Sequence, residues 1–174
     1  MDDRSVVAAQ IGRPPRSTVE VTVRCLLGLP VVIEVPPLLD DGTPFPTQFW
    51  LSCPLAAKRI GRLEGAGGVK AAEERLAADL ELASRHQAAM ERYRRRRDRA
   101  LPDGYAGPRP RGGVGGAGAG VKCLHAHYAD HAVGSDNPVG EDVAAHIEPL
   151  DCTVPCAAVV EGTVARNPAW VEPK

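Results

Sequence analysis

The sequence predicts an α+β fold, in which a small, mainly antiparallel sheet of three strands packs against several helices and a Gly-rich segment forms a loop. Two observations predict this class. Short segments rich in β-branched residues lie in the first third of the chain, and segments with helical periodicity lie mostly after them. The length of 174 residues suits one domain with its own core. We expect that domain to span residues 1–150, with a C-terminal tail over 151–174.

The predicted strands lie between residues 19 and 51. Residues 19–24 (VEVTVR) alternate apolar and polar side chains, and residues 31–35 (VVIEV) form a second strand. The turn LGLP joins them into an antiparallel hairpin. Residues 45–51 (FPTQFWL) contain both phenylalanines and one of the two tryptophans, which predicts a third strand carrying much of the aromatic core. Pro46 donates no N–H, so it suits the start of that strand or an edge position.

Helical patterns predict the remaining elements. The longest follows the glycines at 65–68 and repeats apolar residues every seven positions. We expect this helix to bend near Asp79 and to end in an arginine run. Shorter helices are predicted over residues 4–11, from Pro54 to the glycines, around residues 121–131, and over 141–147.

Two segments lack regular periodicity. Residues 104–120 contain eight glycines, which predicts a flexible loop within the domain. The tail contains three prolines, so we expect its order to depend on docking or on ligation of Cys152 and Cys156.

Charge and hydropathy exclude several classes of protein. The formal net charge of -1 gives no global reason to expect nucleic acid or a membrane surface. The N-terminus lacks the basic start and apolar run of a secretory signal, and no stretch reaches the roughly 18 apolar residues of a membrane span. We therefore expect a cytoplasmic protein with no membrane contact. There its five cysteines are reduced, as core fillers or as candidates for metal or redox chemistry.

The segment VKCLHAHYADH (121–131) holds one cysteine and three of the five histidines. On an α-helix Cys123 and His127 share a face, whereas His125 points elsewhere. Thiolate and imidazole ligands suit zinc. We therefore predict a structural zinc that joins this helix to the sheet, where two more thiols follow the first and third strands. The predicted ligands are Cys25, Cys53, Cys123 and His127.

This ligand set leaves alternatives open. If the second strand lies between the first and third, their ends are about 10 Å apart and the loops must curl inward. Cys152 and Cys156 form the closest local pair of thiols and are able to replace another ligand. In a simpler interpretation, Cys25 and Cys53 are buried hydrophobes and the histidines face water. An enzyme would need an open zinc position, or a thiol beside an imidazole with an oxyanion-stabilising group opposite.

A basic segment predicts an alternative function. Between residues 91 and 111 there are eight arginines and three carboxylates. A basic helix end followed by an Arg/Gly loop suits RNA or an acidic protein partner, through Arg94, Arg95, Arg96 and Arg97. The opposing interpretation is a solvated helix end that faces the acidic C-terminal part of the same molecule. Only Tyr93 and Tyr105 offer base stacking there.

Six segments resemble a bacterial family known as domain of unknown function 501, over most of residues 5–150. They are GRPPR (12–16), RCLLGLP (24–30), DGTPFPTQFWLSCP (41–54), ERLAADLEL (74–82), VKCLHAHYA (121–129) and NPVG (137–140). The resemblance names no activity. It implies that Cys53, Cys123 and His125 lie in signature segments, together with Cys25 and a cysteine near Cys156. It therefore makes His125 a candidate ligand beside His127. Many members carry histidine where this chain has Asp130, which argues against a ligand role for that position here.

Overall fold

A computed structural model describes residues 1–173 and confirms the α+β class. In chain order the elements are α1 (Asp3–Ile11), β1 (Glu20–Arg24), β2 (Pro30–Glu34), β3 (Phe49–Leu51), α2 (Pro54–Gly65), α3 (Gly68–Ala78), α4 (Leu80–Arg99), α5 (Leu124–Ala132), α6 (Pro138–Ile147), β4 (Ala157–Val160) and β5 (Thr163–Arg166). No helix within residues 1–173 is long and apolar enough to cross a membrane.

The first three strands form an antiparallel sheet in the order β1-β2-β3, so the predicted hairpin of β1 and β2 is confirmed. Strand β2 lies in the centre, and its apolar residues are buried on both faces. The third strand is shorter than predicted. Residues 45–48 precede it as an irregular segment in which the Phe45 N–H donates to the Pro37 carbonyl at 2.9 Å. Because β2 separates β1 from β3, the ends that carry Cys25 and Cys53 lie two strands apart.

The expected bend near Asp79 is a complete break between two helices. Asp79 is extended, with φ -128° and ψ 108°, and its carboxylate accepts the N–H groups of Glu81 and Leu82 at 2.9 and 3.0 Å. An aspartate in this position caps a helix N-terminus, so it starts α4 where the sequence pattern predicted one continuous helix.

The middle of the Gly-rich segment packs against α4. Val114 is buried there, and the N–H of this residue points at the Met90 sulfur at 3.4 Å. The guanidinium of Arg97, which is only 1% exposed, donates to the carbonyl of Gly112 at 2.7 Å. A Cβ atom on Gly113 would lie 2.7 Å from the methyl carbon of Met90, so a larger residue there would displace the Met90 side chain.

The C-terminal tail contains a β-hairpin that the sequence analysis did not predict. Strands β4 and β5 pair antiparallel, and Glu161 and Gly162 turn the chain with positive φ values of 49° and 81°. The hairpin packs against α1, where Ala157 joins Val6 in a small apolar cluster. Its signal was the Glu-Gly pair between β-branched residues, a pattern typical of a tight hairpin.

Helices α5 and α6 lie at the centre of the larger core. Tyr128 and Ile147 from these helices are buried with Phe49, Leu55 and Tyr93. The packing brings the start of α5 beside the end of α2, which sets the geometry of the candidate site.

Candidate metal centre

Cys123 and His125 come together at the start of α5. Cys123 is the N-cap residue and is extended, with φ -152° and ψ 117°, because the helix begins only at Leu124. Its sulfur lies 3.8 Å from His125 Nδ1. The shared helical face expected for Cys123 and His127 requires both residues to be helical. The structure therefore places Cys123 beside His125 and not beside His127.

Glu64 supplies a third ligand type from the last turn of α2. Its Oε1 lies 3.2 Å from His125 Nδ1 and accepts the Leu124 N–H at 2.6 Å. The ligand atoms of Glu64, Cys123 and His125 all lie within 4.8 Å of one another. In the part of the chain that the structure describes, no other three Cys, His, Asp or Glu side chains form such a group. Sequence analysis missed Glu64, because no spacing connects a glutamate in one helix with a motif about sixty residues later.

The second ring nitrogen of His125 is held by the backbone. Nε2 lies 3.1 Å from the Ala57 carbonyl oxygen, so it carries the donated hydrogen. Metal-binding histidines commonly fix their second nitrogen in this way, which leaves the first nitrogen free to bind the ion. Here the first nitrogen is Nδ1, and it faces both Cys123 and Glu64.

The same neighbours favour a proton on His125. The hydrogen bond with Cys123, followed by the negative charge of Glu64, raises the pKa of His125 to about 9 against the opposing effect of burial. A metal ion in this position therefore competes with a proton. Metal binding should release that proton, since the imidazole must be neutral to act as a ligand.

One side of the group faces solvent. The side chains of Glu64 and His125 are 28% and 30% exposed, and Cys123 is half-buried. Three protein ligands that leave room for water are typical of catalytic zinc sites, whereas structural sites are closed by four. The set of one nitrogen, one sulfur and one oxygen suits zinc.

His127 has a different environment two residues further along. Its side chain is fully buried, with Nδ1 3.1 Å from the Asn137 side-chain oxygen and its ring 5.3 Å from that of His86. Burial, reinforced by the nearby His86, lowers the pKa of His127 to about 4 despite the hydrogen bond with Asn137. His127 is thus a neutral core residue that connects α5 to the start of α6.

Asp130 belongs to the same buried network. Its Oδ2 accepts hydrogen bonds from Arg92 at 2.8 Å and from the Asn137 side chain at 2.9 Å. Burial raises the pKa of Asp130, while these two donors oppose the shift. The residue ties three helices together, which is a packing role rather than a ligand role.

The remaining thiols occupy another part of the molecule. Cys25 and Cys53 line a cavity of about 10 Å³ together with Cys152 and Cys156, and Cys123 does not line it. Burial raises the pKa of Cys53 to about 11. The ligands predicted from the sequence are therefore divided among the start of α5, the buried face of α5 and this cavity.

The arginine run has partners within the molecule. Arg94 and Arg95 pair with Glu91. Arg96 pairs with Glu34 at 3.1 Å, and its guanidinium lies 4.7 Å from the centre of the Phe49 ring. Arg97 is buried against the Gly-rich segment. The acids that pair with Arg94, Arg95 and Arg96 are Glu91 of the same helix and Glu34 of β2, and these three arginines remain partly exposed.

Fold and ligand group together define an α+β protein with a candidate Cys/His/Glu metal centre. A family model described as "Protein of unknown function (DUF501)" matches residues 21–145, which is more than half of the chain. The chain therefore belongs to this family, and the resemblance noted in its sequence is confirmed. No curated protein and no solved structure matches the chain. The matched residues include Glu64, Cys123 and His125 and end before Cys152 and Cys156.

Proposed function

We propose that this protein binds a zinc ion through Glu64, Cys123 and His125. The observation that carries the proposal is the convergence of three different ligand atoms within 4.8 Å of one another. The hydrogen bond from His125 Nε2 to the Ala57 carbonyl adds support, because it orients the ring with Nδ1 towards the other two ligands. The ion links α2 to α5. The proposal thus retains the zinc ion and the motif that the sequence predicted. Glu64 and His125 now accompany Cys123 in place of Cys25, Cys53 and His127.

A metal accounts for the geometry better than a nucleophilic thiol does. In a Cys-His-carboxylate triad the thiol and the carboxylate contact opposite nitrogens of the imidazole ring. Here Cys123 and Glu64 both approach Nδ1, at 3.8 and 3.2 Å. Several ligand atoms directed at one point suit a cation. A proton relay instead requires the thiol, the imidazole and the carboxylate to lie in series.

The proposed ion has an open fourth position for water. An open position would suit a metal-dependent enzyme, since bound zinc polarises water and carbonyl groups. Beside the site lies a groove of about 450 Å³ lined in part by Leu63 and Leu124, the chain neighbours of the ligands. Its rim carries the ion pair of Arg75 and Asp142. That volume falls in the range of small-molecule sites.

RNA or partner binding through Arg94, Arg95, Arg96 and Arg97 has less support, because Arg97 is buried and the other three pair with glutamates. The zinc proposal also fits the expected cytoplasmic location, where thiols stay reduced.

The test is the metal content of protein purified under reducing conditions. Cys123→Ser and Glu64→Gln should each lower zinc by one equivalent per chain relative to wild type, because hydroxyl and amide groups are poorer zinc ligands. Glu74→Gln is a matched control, since Glu74 is exposed, forms an ion pair with Lys70 at 3.5 Å and is not part of the ligand group. If both ligand variants keep the zinc content of wild type, the proposal is wrong.

A further inference from the structure

Four of the five cysteines line one small cavity outside the site proposed above. They come from three parts of the chain. Cys25 follows β1, Cys53 directly precedes α2, and Cys152 and Cys156 lie between α6 and β4. The cavity has a volume of about 10 Å³, comparable to one water-sized sphere. Among the residues that the structure describes, no charged side chain lines it, and the remaining lining is apolar apart from Gln10.

Side-chain N–H groups point at two of these sulfurs from distant positions. Gln10 Nε2 lies 3.4 Å from Cys156 Sγ, and Trp170 Nε1 lies 3.4 Å from Cys152 Sγ. Hydrogen bonds of this kind stabilise the negative charge of a metal-bound thiolate. A thiol that only fills space in a core needs no such donor.

A third sulfur lies at the start of a helix. Cys53 is the N-cap residue of α2, and its side chain makes no capping hydrogen bond. The first turn of a helix favours negative charge, so this position also suits a thiolate. Two of the four thiols therefore have side-chain donors suited to their anionic form.

We infer that Cys25, Cys53, Cys152 and Cys156 form a second zinc site, with four thiolate ligands and no position left for water. Tetrahedral sulfur ligation is typical of zinc and of iron–sulfur clusters. The cavity of about 10 Å³ fits a single ion and is too small for a cluster of several iron and sulfide ions. This site uses no ligand of the Glu64–Cys123–His125 group, so the two sites can be tested independently.

Ligation requires the sulfurs to move closer together. A Zn–S bond of about 2.3 Å places tetrahedral ligands about 3.8 Å apart. Within residues 1–173 no three of these sulfurs lie within 4.8 Å of one another. Cys25 begins a turn closed by the Gly28 N–H at 2.9 Å from its carbonyl, and Cys152 lies outside any helix or strand. Rotation of these two side chains and small shifts of their segments are the movements that would complete the site.

The ion would attach the C-terminal segment to the rest of the molecule. That segment already contacts α2, where Arg59 donates to the Pro149 carbonyl at 2.6 Å and pairs with Asp151 at 3.0 Å. Lys58 lies 5.2 Å from the centre of the Trp170 ring. Two of the ligands, Cys152 and Cys156, lie in the segment itself. The inferred site is therefore structural, in contrast to the open site on α5.

Cobalt(II) tests the inference because sulfur-to-cobalt charge-transfer absorption grows with the number of thiolate ligands. The double variant Cys123→Ser/His125→Gln removes the other site and should still bind one Co²⁺ per chain with the intense absorption of four thiolates. Adding Cys152→Ser should lower that absorption, because at most three thiolates remain to bind the ion. If the double variant binds Co²⁺ without this absorption, or Cys152→Ser leaves it unchanged, the inference is overturned.

Thiol alkylation of wild-type protein tests the site without relying on a variant that folds. Zinc should slow modification of the half-exposed Cys25 and Cys152 at least about tenfold, and a strong chelator should restore both rates together. Alkylation rates that neither zinc nor chelator changes would contradict a zinc site. A disulfide among the four cysteines in freshly reduced protein would also contradict it. Loss of zinc on Cys123→Ser reports only on the open site, so the two proposals fail separately.

Discussion

The two ends of the motif VKCLHAHYADH differ more than their similar composition suggests. At its start, His125 is half-buried beside a thiol and a carboxylate, and its pKa is raised to about 9. Two residues later, His127 is enclosed by the core, and its pKa is lowered to about 4. The helix is the same, and the neighbours differ: Glu64 comes from α2, whereas Asn137 precedes α6 and His86 belongs to α4.

The comparison teaches that imidazole in a helix has no function until packing supplies its surroundings. The start of α5 is a candidate ligand surface, where substitution should affect metal binding more than folding. The buried face of α5 connects this helix to α4 and α6 through packing and hydrogen bonds, so substitution there should affect folding. Experiments on each region test whether this division holds.

The largest expected effect is on the buried face. Asn137→Ala removes the cap of α6, whose N–H at Gly140 donates to the Asn137 side chain at 3.0 Å. It also removes the partner of His127 Nδ1 and one of the two donors to Asp130, which keeps only Arg92. The lost cap and the unpaired buried groups together should lower the unfolding free energy by roughly 4 kcal/mol. Urea unfolding with chelator present measures this. His125→Gln is the matched comparison at the start of α5. An equal loss of unfolding free energy in that variant would contradict the division of α5 into a ligand surface and a buried face.

Acid should destabilise the buried face through His127. Its folded pKa of about 4 lies below the ordinary histidine pKa of 6.5, so the unfolded chain takes up a proton first as pH falls. The resulting loss of stability begins near pH 6.5 and is complete near pH 4, with a total of about 3 kcal/mol. His127→Gln should flatten this part of the stability-pH curve.

The control for the acid effect is His146→Gln, because His146 is exposed and lies outside the buried network. Its stability-pH curve should keep the slope of wild type. A His127→Gln curve as steep as that of wild type would show that burial of this imidazole does not determine the acid response.

Acid should also weaken metal binding at the other end of the motif, because there the titrating group is the ligand His125. Because the pKa of His125 is raised to about 9, its proton must leave before an ion binds. Apparent zinc affinity at this site should therefore rise by at least about tenfold per pH unit between pH 6.5 and 9. Competition with a chromophoric chelator measures it, using Cys152→Ser protein to isolate the site. A flat profile would show that His125 is not a ligand.

The smallest expected effect is on thermal stability at the open end. Serine is close to cysteine in size, so Cys123→Ser should introduce little cavity and act mainly by releasing the ion. With zinc present, its unfolding midpoint should lie about 2–4 °C below that of wild type, equivalent to about 1 kcal/mol for a chain of this size. With chelator present the two midpoints should approach each other. A gap that chelator leaves unchanged would indicate that Cys123 acts only through packing.

Local patterns explain which parts of the fold were predictable. The β1–β2 hairpin and the interruption at Asp79 depend on residues close together in sequence, and both were predicted in substance. The β4–β5 hairpin was missed although Glu161 and Gly162 supply a turn, because the surrounding prolines obscured two strands of four residues each. Elements of that length depend on packing, here against α1, more than on their own propensity.

The sequence by itself determined the fold class and indicated the motif whose Cys123 and His125 belong to the candidate metal group. Only the tertiary structure decided which of the chain's cysteines and histidines meet. Helix α5 begins one residue after Cys123, which turns that thiol towards His125, and helix packing brings Glu64 to both. The order β1-β2-β3 and the docked tail gather Cys25 and Cys53 with Cys152 and Cys156. Contacts between residues so distant in sequence depend on the packing of whole elements, which local periodicity does not encode.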